Sequence, residues 1–398
     1  MERWLEEFIE KRKEYGISQS KLAVTVGISR EAINKMERGK LNVSESTRKK
    51  LEAALLKLSP DAELTVIVDY LRIRFPNTDL KFVVNDILKL NIERMQHEGR
   101  GFSGYSERHI LGDINLYSSS EQEKGILLEL RGKGCRQLEC FLVAQERSWF
   151  DFLHDCFSHE AKIKRLDLAI NDSAGILNIP NLIEKCKDGE YASKFKSFRD
   201  YGSGELRNHK EQHKNEMGRT LYLGSLRSDI YFCIYEKDYE QYIKQGIELE
   251  EADVKNRFEL RLKNDRAYYA IYDLLSNRDV DHTVFSIVNQ YICFLERNEK
   301  NRKEEWKLSK DWAWFIGENR NKIKLTTQPE PYTLEKTLRW LSHQVMPMLK
   351  TVMEIDEKNE TKNIESMVEH TELNERHRKI IEQQTTELKD LMCVGENI

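Results

Sequence analysis

Residues 165–172 read RLDLAIND. In an extended chain successive side chains point to opposite faces. Leu166, Leu168 and Ile170 therefore share one face, and Arg165, Asp167, Ala169 and Asn171 share the other. The same alternation recurs three times. In GILLELR (125–131), Ile126, Leu128 and Leu130 oppose Leu127, Glu129 and Arg131. In YFCIYEKDYE (231–240), Phe232 and Ile234 alternate with Tyr231, Cys233, Tyr235 and Lys237. In RFELRLK (257–263), Phe258, Leu260 and Leu262 alternate with Arg257, Glu259, Arg261 and Lys263. This pattern predicts a mainly antiparallel sheet with one face on a core and the other open. The open face would gather Glu129, Asp167, Glu259 and Tyr235 among several arginines and lysines.

Further strands are expected over 64–75 and 220–224. Helices are expected over 79–90, 135–157, 179–187 and 267–275. Segment 202–219, polar and rich in Gly, His and Lys, reads as a loop, and residues 332–350 read as helical. From about residue 355 the chain is strongly polar with mixed charges and weak periodicity, which suits a solvated helix or a partly disordered tail. No internal repeat is legible. The fold class expected is α+β: a small all-α helix-turn-helix domain (1–60), then a larger domain on a mainly antiparallel sheet with flanking helices (61–350), then a polar tail (351–398).

The first domain rests on residues 18–38, SQSKLAVTVGISREAINKMER. Leu22, Ala23, Val26, Ile28 and Ile33 are spaced to pack two short helices together, with Gly27 at the sharp turn between them. Trp4, Leu5, Phe8 and Ile9 begin the domain at helical spacing; Leu51, Ala54, Leu55 and Leu58 close it, and Ser59-Pro60 ends it. Ser29 is placed to cap the second helix, which then presents Ser29, Arg30, Glu31, Asn34, Lys35 and Arg38 outward. Such polar side chains are what base edges and phosphates require.

The whole chain narrows the choices. Its 398 residues exceed one ordinary domain, and 39% hydrophobic residues suffice for cores. The net charge of −4 excludes a globally basic nucleic-acid binder, so any DNA contact must rest on local charge. Seven cysteines, an odd number with no CxxC spacing, point to free thiols in a reducing compartment. The charged, amphipathic opening MERWLEEFIEKRKEYG is no signal peptide, and no apolar run reaches the roughly 18 residues of a membrane span. A soluble, cytoplasmic protein is the expectation.

Acidic residues repel a phosphate unless a divalent cation lies between them. Oxygen ligands on neighbouring strands suit Mg²⁺ or Mn²⁺. The plainer account, a solvated face of cross-strand ion pairs, wins for any one carboxylate alone. Three carboxylates with a tyrosine, each centred in a strand, shift the balance toward a site. A tyrosine hydroxyl has a free pKa near roughly 10 and needs activation. Lys237, expected on the face of Tyr235, could lower that pKa or hold the phosphate, and Arg261 and Arg165 could do the latter. Tyr231, Tyr239 and Tyr242 compete with Tyr235 on residues alone. Lys194 to Arg207, with Lys210, Lys214 and Arg219, offers backbone contacts or is an ordinary solvated loop.

RLDLAIND, LYLGS…IYEKDYEQ and RFELRLKN resemble the replication-initiation family of rolling-circle plasmids (Rep_trans). With its repressor-type helix-turn-helix, the whole arrangement is similar to the MobT relaxases of integrative and conjugative elements. The resemblance implies a relaxase that nicks one strand at an origin of transfer. It makes Tyr235 the nucleophile, leaving a 5′-phosphotyrosine and a free 3′-hydroxyl, and puts the family's metal-binding acidic residues on Glu129, Asp167 and Glu259. Plasmid initiators usually carry a second Asp where this chain has Asn171, with Asp172 one position later; Asn171 offers only a carbonyl oxygen. Implied partners are double- and single-stranded DNA, a conjugation coupling protein and accessory DNA-processing proteins. A homodimer suits a DNA-binding sheet protein, though no interface is legible. The rival readings are a plasmid replication initiator, a non-catalytic transcriptional repressor and a tyrosine recombinase; the last would need a dispersed Arg and His set rather than clustered carboxylates.

Overall fold

The computed structural model describes residues 3–15, 17, 19–26, 28–57, 64–119, 124–204, 216–249, 251–317, 323, 325–334, 337–338 and 341–393. Gly27, Leu58, Ser59-Pro60, Arg207, Lys210 and Lys214 lie outside them. The chain divides into two compact units: residues 1–67, 168–262 and 279–326, and residues 68–167, 263–278 and 327–398.

The first helices are α1 (Arg3–Glu14), α2 (Gln19–Val26), α3 (Arg30–Glu37) and α4 (Glu45–Lys57). Leu5, Phe8, Leu22, Ala23, Ile33 and Leu51 make their common core, with Val26 and Ile28 packed at its edge. Ser29 caps α3 as its sequence suggests, its hydroxyl accepting from the Ala32 amide at 3.1 Å. Beneath α3 lies a polar tie that the apolar pattern does not reveal. Arg12 is buried and donates to Glu37 at 2.6 and 2.9 Å, and Gln19 donates to Glu37 at 2.8 Å.

Thirteen strands follow among the described residues: β1 (Leu64–Phe75), β2 (Gln96–Glu98), β3 (Glu107–Leu111), β4 (Ile114–Ser118), β5 (Ile126–Arg131), β6 (Lys162–Asp172), β7 (Tyr191–Ser193), β8 (Phe198–Gly204), β9 (Glu216–Leu223), β10 (Ile230–Glu236), β11 (Asn256–Lys263), β12 (Ile292–Glu296) and β13 (Lys307–Leu308). The strands with apolar alternation in the sequence all form.

Strand order reveals a duplication. In the N-terminal half the antiparallel meander β2-β3-β4-β5 ends beside the long strand β1. In the C-terminal half the meander β8-β9-β10-β11 ends beside the long strand β6. Each last strand runs into a helix, Lys133–Ala144 or Asn264–Asn277. Each also carries the same spacing, Glu129-Leu130-Arg131-Gly132-Lys133 and Glu259-Leu260-Arg261-Leu262-Lys263. The repeat escapes the sequence because only these short stretches agree while the rest diverges. β7, β12 and β13 form a separate small sheet.

Three expectations need correction. Segment 202–219 is not a loop throughout, because Gly202–Gly204 and Glu216–Arg219 are arms of the β8–β9 pair. β8 is exposed almost along its length, so it has no apolar alternation to announce it. The expected helix over 135–157 is two, Lys133–Ala144 and Trp149–Ser158, the second begun by a Ser148–Asp151 capping box. The polar tail is built into the second unit. Its helix Glu375–Thr385 buries Gln383, whose amide accepts from the Gly112 N–H at 3.2 Å and donates to the carbonyls of Arg94 and Ile110 at 2.9 and 3.1 Å. Polar bonds rather than an apolar stripe hold it, so hydrophobic periodicity could not show it. Gly112 sits at φ +60° in the two-residue β3–β4 turn, and a Cβ there would meet Gln137 at 2.6 Å.

A candidate active site on the C-terminal half

Opposed residues in an antiparallel pair share a face. Cys233 on β10 faces Glu259 on β11 and Tyr222 on β9, and Tyr235 faces Arg257 and Thr220. The Tyr235 hydroxyl donates to Glu259 Oε1 at 2.8 Å. Arg261, two residues along the same strand, donates from Nε to Glu259 Oε2 at 2.8 Å, with Nη2 at 2.7 Å. Burial works against the Arg261 charge, but the Glu259 carboxylate outweighs it and raises the guanidinium pKa. A weak nucleophile, a base in hydrogen-bond reach and a group that orients the base are thus assembled on two adjacent strands.

Tyr235 is half-buried and lines an open cleft of about 360 Å³ with Tyr222, Arg219, Lys244, Glu240 and Arg261. Its rivals are placed differently. Tyr231 is buried beneath the Arg261 guanidinium, 5.7 Å from ring centroid to Cζ. Tyr239 and Tyr242 belong to the helix Lys237–Gln245. Tyr222 is on the site face, but burial first, then Cys233, pushes its hydroxyl up to about 12.

The other sequence-derived positions depart from expectation in instructive ways. Lys237 does not extend the strand. β10 ends at Glu236, and Lys237 opens the next helix and pairs with Glu240. Its ammonium nonetheless lies 5.7 Å from the Tyr235 ring centroid. Asn171 is buried, and its carbonyl accepts from Arg257 Nε at 2.8 Å, so that oxygen is already engaged. Asp172 faces away and closes a loop. It accepts from the amides of Gly175, Ile176 and Leu177 at 2.8 to 2.9 Å and from Asn256 at 3.0 Å.

The face is also less open than expected: Glu129, Asp167 and Glu259 are each 1 to 3% exposed. Every one takes an arginine two residues away on its own strand. Asp167 is held by Arg165 at 2.6 and 2.9 Å. Glu129 accepts from Arg131 at 2.9 Å and from Arg72, Tyr70 and Tyr117. Burial favours the neutral acid there, but the bonds from Tyr70, Arg72 and Arg131 outweigh it and hold Glu129 below the ordinary carboxylate range. Four donors fill the lone-pair sites of two oxygens.

On α3, Arg30, Glu31, Lys35 and Arg38 are exposed beside Ser29. Asn34 is half-buried and donates to Gln19 at 3.3 Å, so it is committed within the domain. Arg219 of the suggested basic segment lies in the Tyr235 cleft.

The fold and site define an α+β protein: a helix-turn-helix at its start, then an antiparallel sheet bearing a tyrosine–carboxylate–arginine group. The chain belongs to the replication initiation factor family (Rep_trans), whose model matches residues 161–368, among relaxases and rolling-circle replication initiators. A model of the N-terminal domain of rolling-circle replication initiation proteins matches residues 65–155, and a helix-turn-helix model matches residues 8–61. The chain is 34% identical over 333 residues to a Bacillus subtilis (strain 168) protein called "Putative DNA relaxase NicK", covering 83% of this chain and 93% of that one. It is also similar to the solved rolling-circle replication initiator of Geobacillus stearothermophilus. That match has a TM-score of 0.56 and 27% identity and covers 67% of this chain and 99% of the other. Among the described residues no helix is long and apolar enough to cross a membrane.

Proposed function

We propose that this chain is a relaxase that nicks one DNA strand at an origin of transfer, with Tyr235 as nucleophile. The observation that carries the assignment is the 2.8 Å hydrogen bond from the Tyr235 hydroxyl to Glu259 at the wall of an open cleft. Likeness to a relaxase over 83% of the chain supports the activity class.

The helix-turn-helix engages duplex DNA through Ser29, Arg30, Glu31, Lys35 and Arg38, while Asn34 supports the helix from below. In the cleft Tyr235 passes its proton to Glu259 as its oxygen attacks phosphorus. The new bond joins Oη to phosphorus, the bond from phosphorus to the 3′-oxygen breaks, and that oxygen leaves as a hydroxyl after taking a proton from solvent, to which Glu259 releases the one it took from Tyr235. Arg261 keeps Glu259 oriented, and Arg219 and Lys244 offer positive charge to the phosphate. The phosphotyrosine retains the phosphodiester energy, so the strand can be rejoined.

The donor set around this chemistry is all oxygen, which suits Mg²⁺ or Mn²⁺ rather than a softer ion. Glu259 would hold such an ion, beside the Asn171 carbonyl, which Arg257 engages; Glu129, with four donors already, would not. When bound, the ion supplies charge neutralisation at the phosphate and the leaving oxygen.

The Geobacillus stearothermophilus initiator, 99% of which is matched, supports a second reading with the same chemistry: replication initiation on a plasmid. A nicking assay on supercoiled plasmid tests both. Wild type with Mn²⁺ nicks a plasmid bearing the element's origin of transfer, and Tyr235→Phe does not. Nicking confined to a replication origin would favour the second reading. Nicking retained by Tyr235→Phe would remove Tyr235 from both.

A further inference from the structure

The N-terminal half contains the same device. Asn115 on β4 faces Glu129 on β5, as Cys233 on β10 faces Glu259 on β11. Two residues past Asn115 stands Tyr117, as Tyr235 stands two past Cys233. The Tyr117 hydroxyl reaches Glu129 Oε2 at 3.4 Å, as Tyr235 reaches Glu259. Arg131 holds Glu129 at 2.9 Å, as Arg261 holds Glu259 at 2.8 Å. Strand, partner, tyrosine and arginine correspond one to one.

The two copies differ in what surrounds the carboxylate. Glu129 takes two further donors, Tyr70 and Arg72, and has no capacity left to accept a proton from Tyr117 during attack. Tyr117 is buried, and its hydroxyl is pushed up first by burial and then by the Glu129 charge. The copy is thus locked against nucleophilic chemistry. Its cleft, however, is larger, about 570 Å³, and more basic. Arg100, Arg108, Arg131 and Lys133 line it against Asp113 and Glu129. At its wall stands Phe102, an aromatic side chain left 47% exposed.

We propose that this cleft on the N-terminal half is a second DNA site, which holds the backbone of single-stranded DNA without cutting it. The proposal rests on the nicking function assigned to the C-terminal half, because a nicked strand must be held once it is unpaired. Arginines and a lysine around an open cleft supply phosphate contacts, and an exposed aromatic at the wall supplies a platform for a base. An isolated duplex-binding surface has no use for that platform.

The test uses the full-length protein and a fluorescein-labelled oligothymidylate, followed by fluorescence anisotropy across a salt series. Arg100→Ala/Arg108→Ala is expected to weaken binding about tenfold and to flatten the slope of log K against log salt by about 1.4, the value for two single-strand phosphate contacts. Phe102→Ala, in an exposed loop where folding is not at stake, is expected to weaken binding about fivefold, a loss of roughly 1 kcal/mol of stacking, with the salt slope unchanged. Affinity and slope equal to wild type in both variants would overturn the second site. The Tyr235→Phe nicking assay reads the other half independently. If that variant still nicks, the functional reading fails whatever the oligothymidylate shows. If it does not nick and binding is unaltered in the arginine and Phe102 variants, only the second site fails.

Discussion

The two halves of the sheet domain carry one motif in two electrostatic settings. Glu259 receives Tyr235 and Arg261, whereas Glu129 receives Tyr117, Arg131, Arg72 and Tyr70. Tyr235 is half-buried on a cleft wall, and Tyr117 is buried. A tyrosine beside a carboxylate is therefore not enough to make a nucleophile. The carboxylate must retain room for a proton, and the hydroxyl must reach the substrate. On the proposed function, two added donors turn the same geometry from a reactive pair into a structural brace.

The contrast predicts different phenotypes for matched substitutions. Tyr235→Phe lowers nicking by at least about a thousandfold, since the nucleophile is gone. Tyr117→Phe instead appears in thermal melting, as a loss of about 1 kcal/mol for one buried hydrogen bond. A large nicking loss with unchanged melting in Tyr117→Phe would break the contrast. Glu259→Gln slows nicking about a hundredfold or more, the usual worth of a positioned base. Glu129→Gln destabilises the fold by about 2 kcal/mol, because Arg72 and Arg131 lose a buried anionic partner. Denaturant melts of both variants beside single-turnover nicking separate the two effects.

Acid sharpens the comparison further. Glu129 is held below its ordinary value of 4.5 in the folded protein. Its ionised form thus stabilises the fold above the unfolded value, and that contribution is lost as pH falls through the folded value. Stability should drop below about pH 4.5, and Glu129→Gln should flatten that part of the profile. An unchanged profile in the variant would show that Glu129 is not the titrating brace. The smallest expected effect concerns Gln383, which ties the C-terminal helix to the β3–β4 turn. Gln383→Ala should cost about 1 kcal/mol in melting, and a neutral result would show that this strap adds nothing to the N-terminal half.

Much of this was legible in the sequence wherever apolar spacing governs. The helix-turn-helix core at Leu22, Ala23 and Ile33, and strands β1, β5, β6, β10 and β11, follow from it directly. The residues of the proposed site, Tyr235 and Glu259, stand at alternate positions in such strands, but spacing left Tyr231, Tyr239 and Tyr242 open beside Tyr235, and only the family resemblance chose among them. What periodicity misses is polar bonding between elements. The burial of Glu129 and Glu259 depends on arginines two residues along the strand and on tyrosines from the strand beside it. The turn of Lys237 into a helix depends on the strand ending at Glu236. The C-terminal helix depends on a glutamine amide, and the exposed arm β8 carries no apolar signal at all. The duplication rests on a few matched residues whose equivalence only strand register discloses.

The proposed division of labour is that one half cuts and the other does not. Its most direct test is to react the wild-type protein with a single-stranded origin oligonucleotide and Mn²⁺, digest the covalent adduct, and identify the DNA-linked residue by mass spectrometry. The expected adduct is a 5′-phosphate on Tyr235, with none on Tyr117. An adduct on Tyr117, Tyr231 or Tyr239, or cleavage with no adduct, would contradict it.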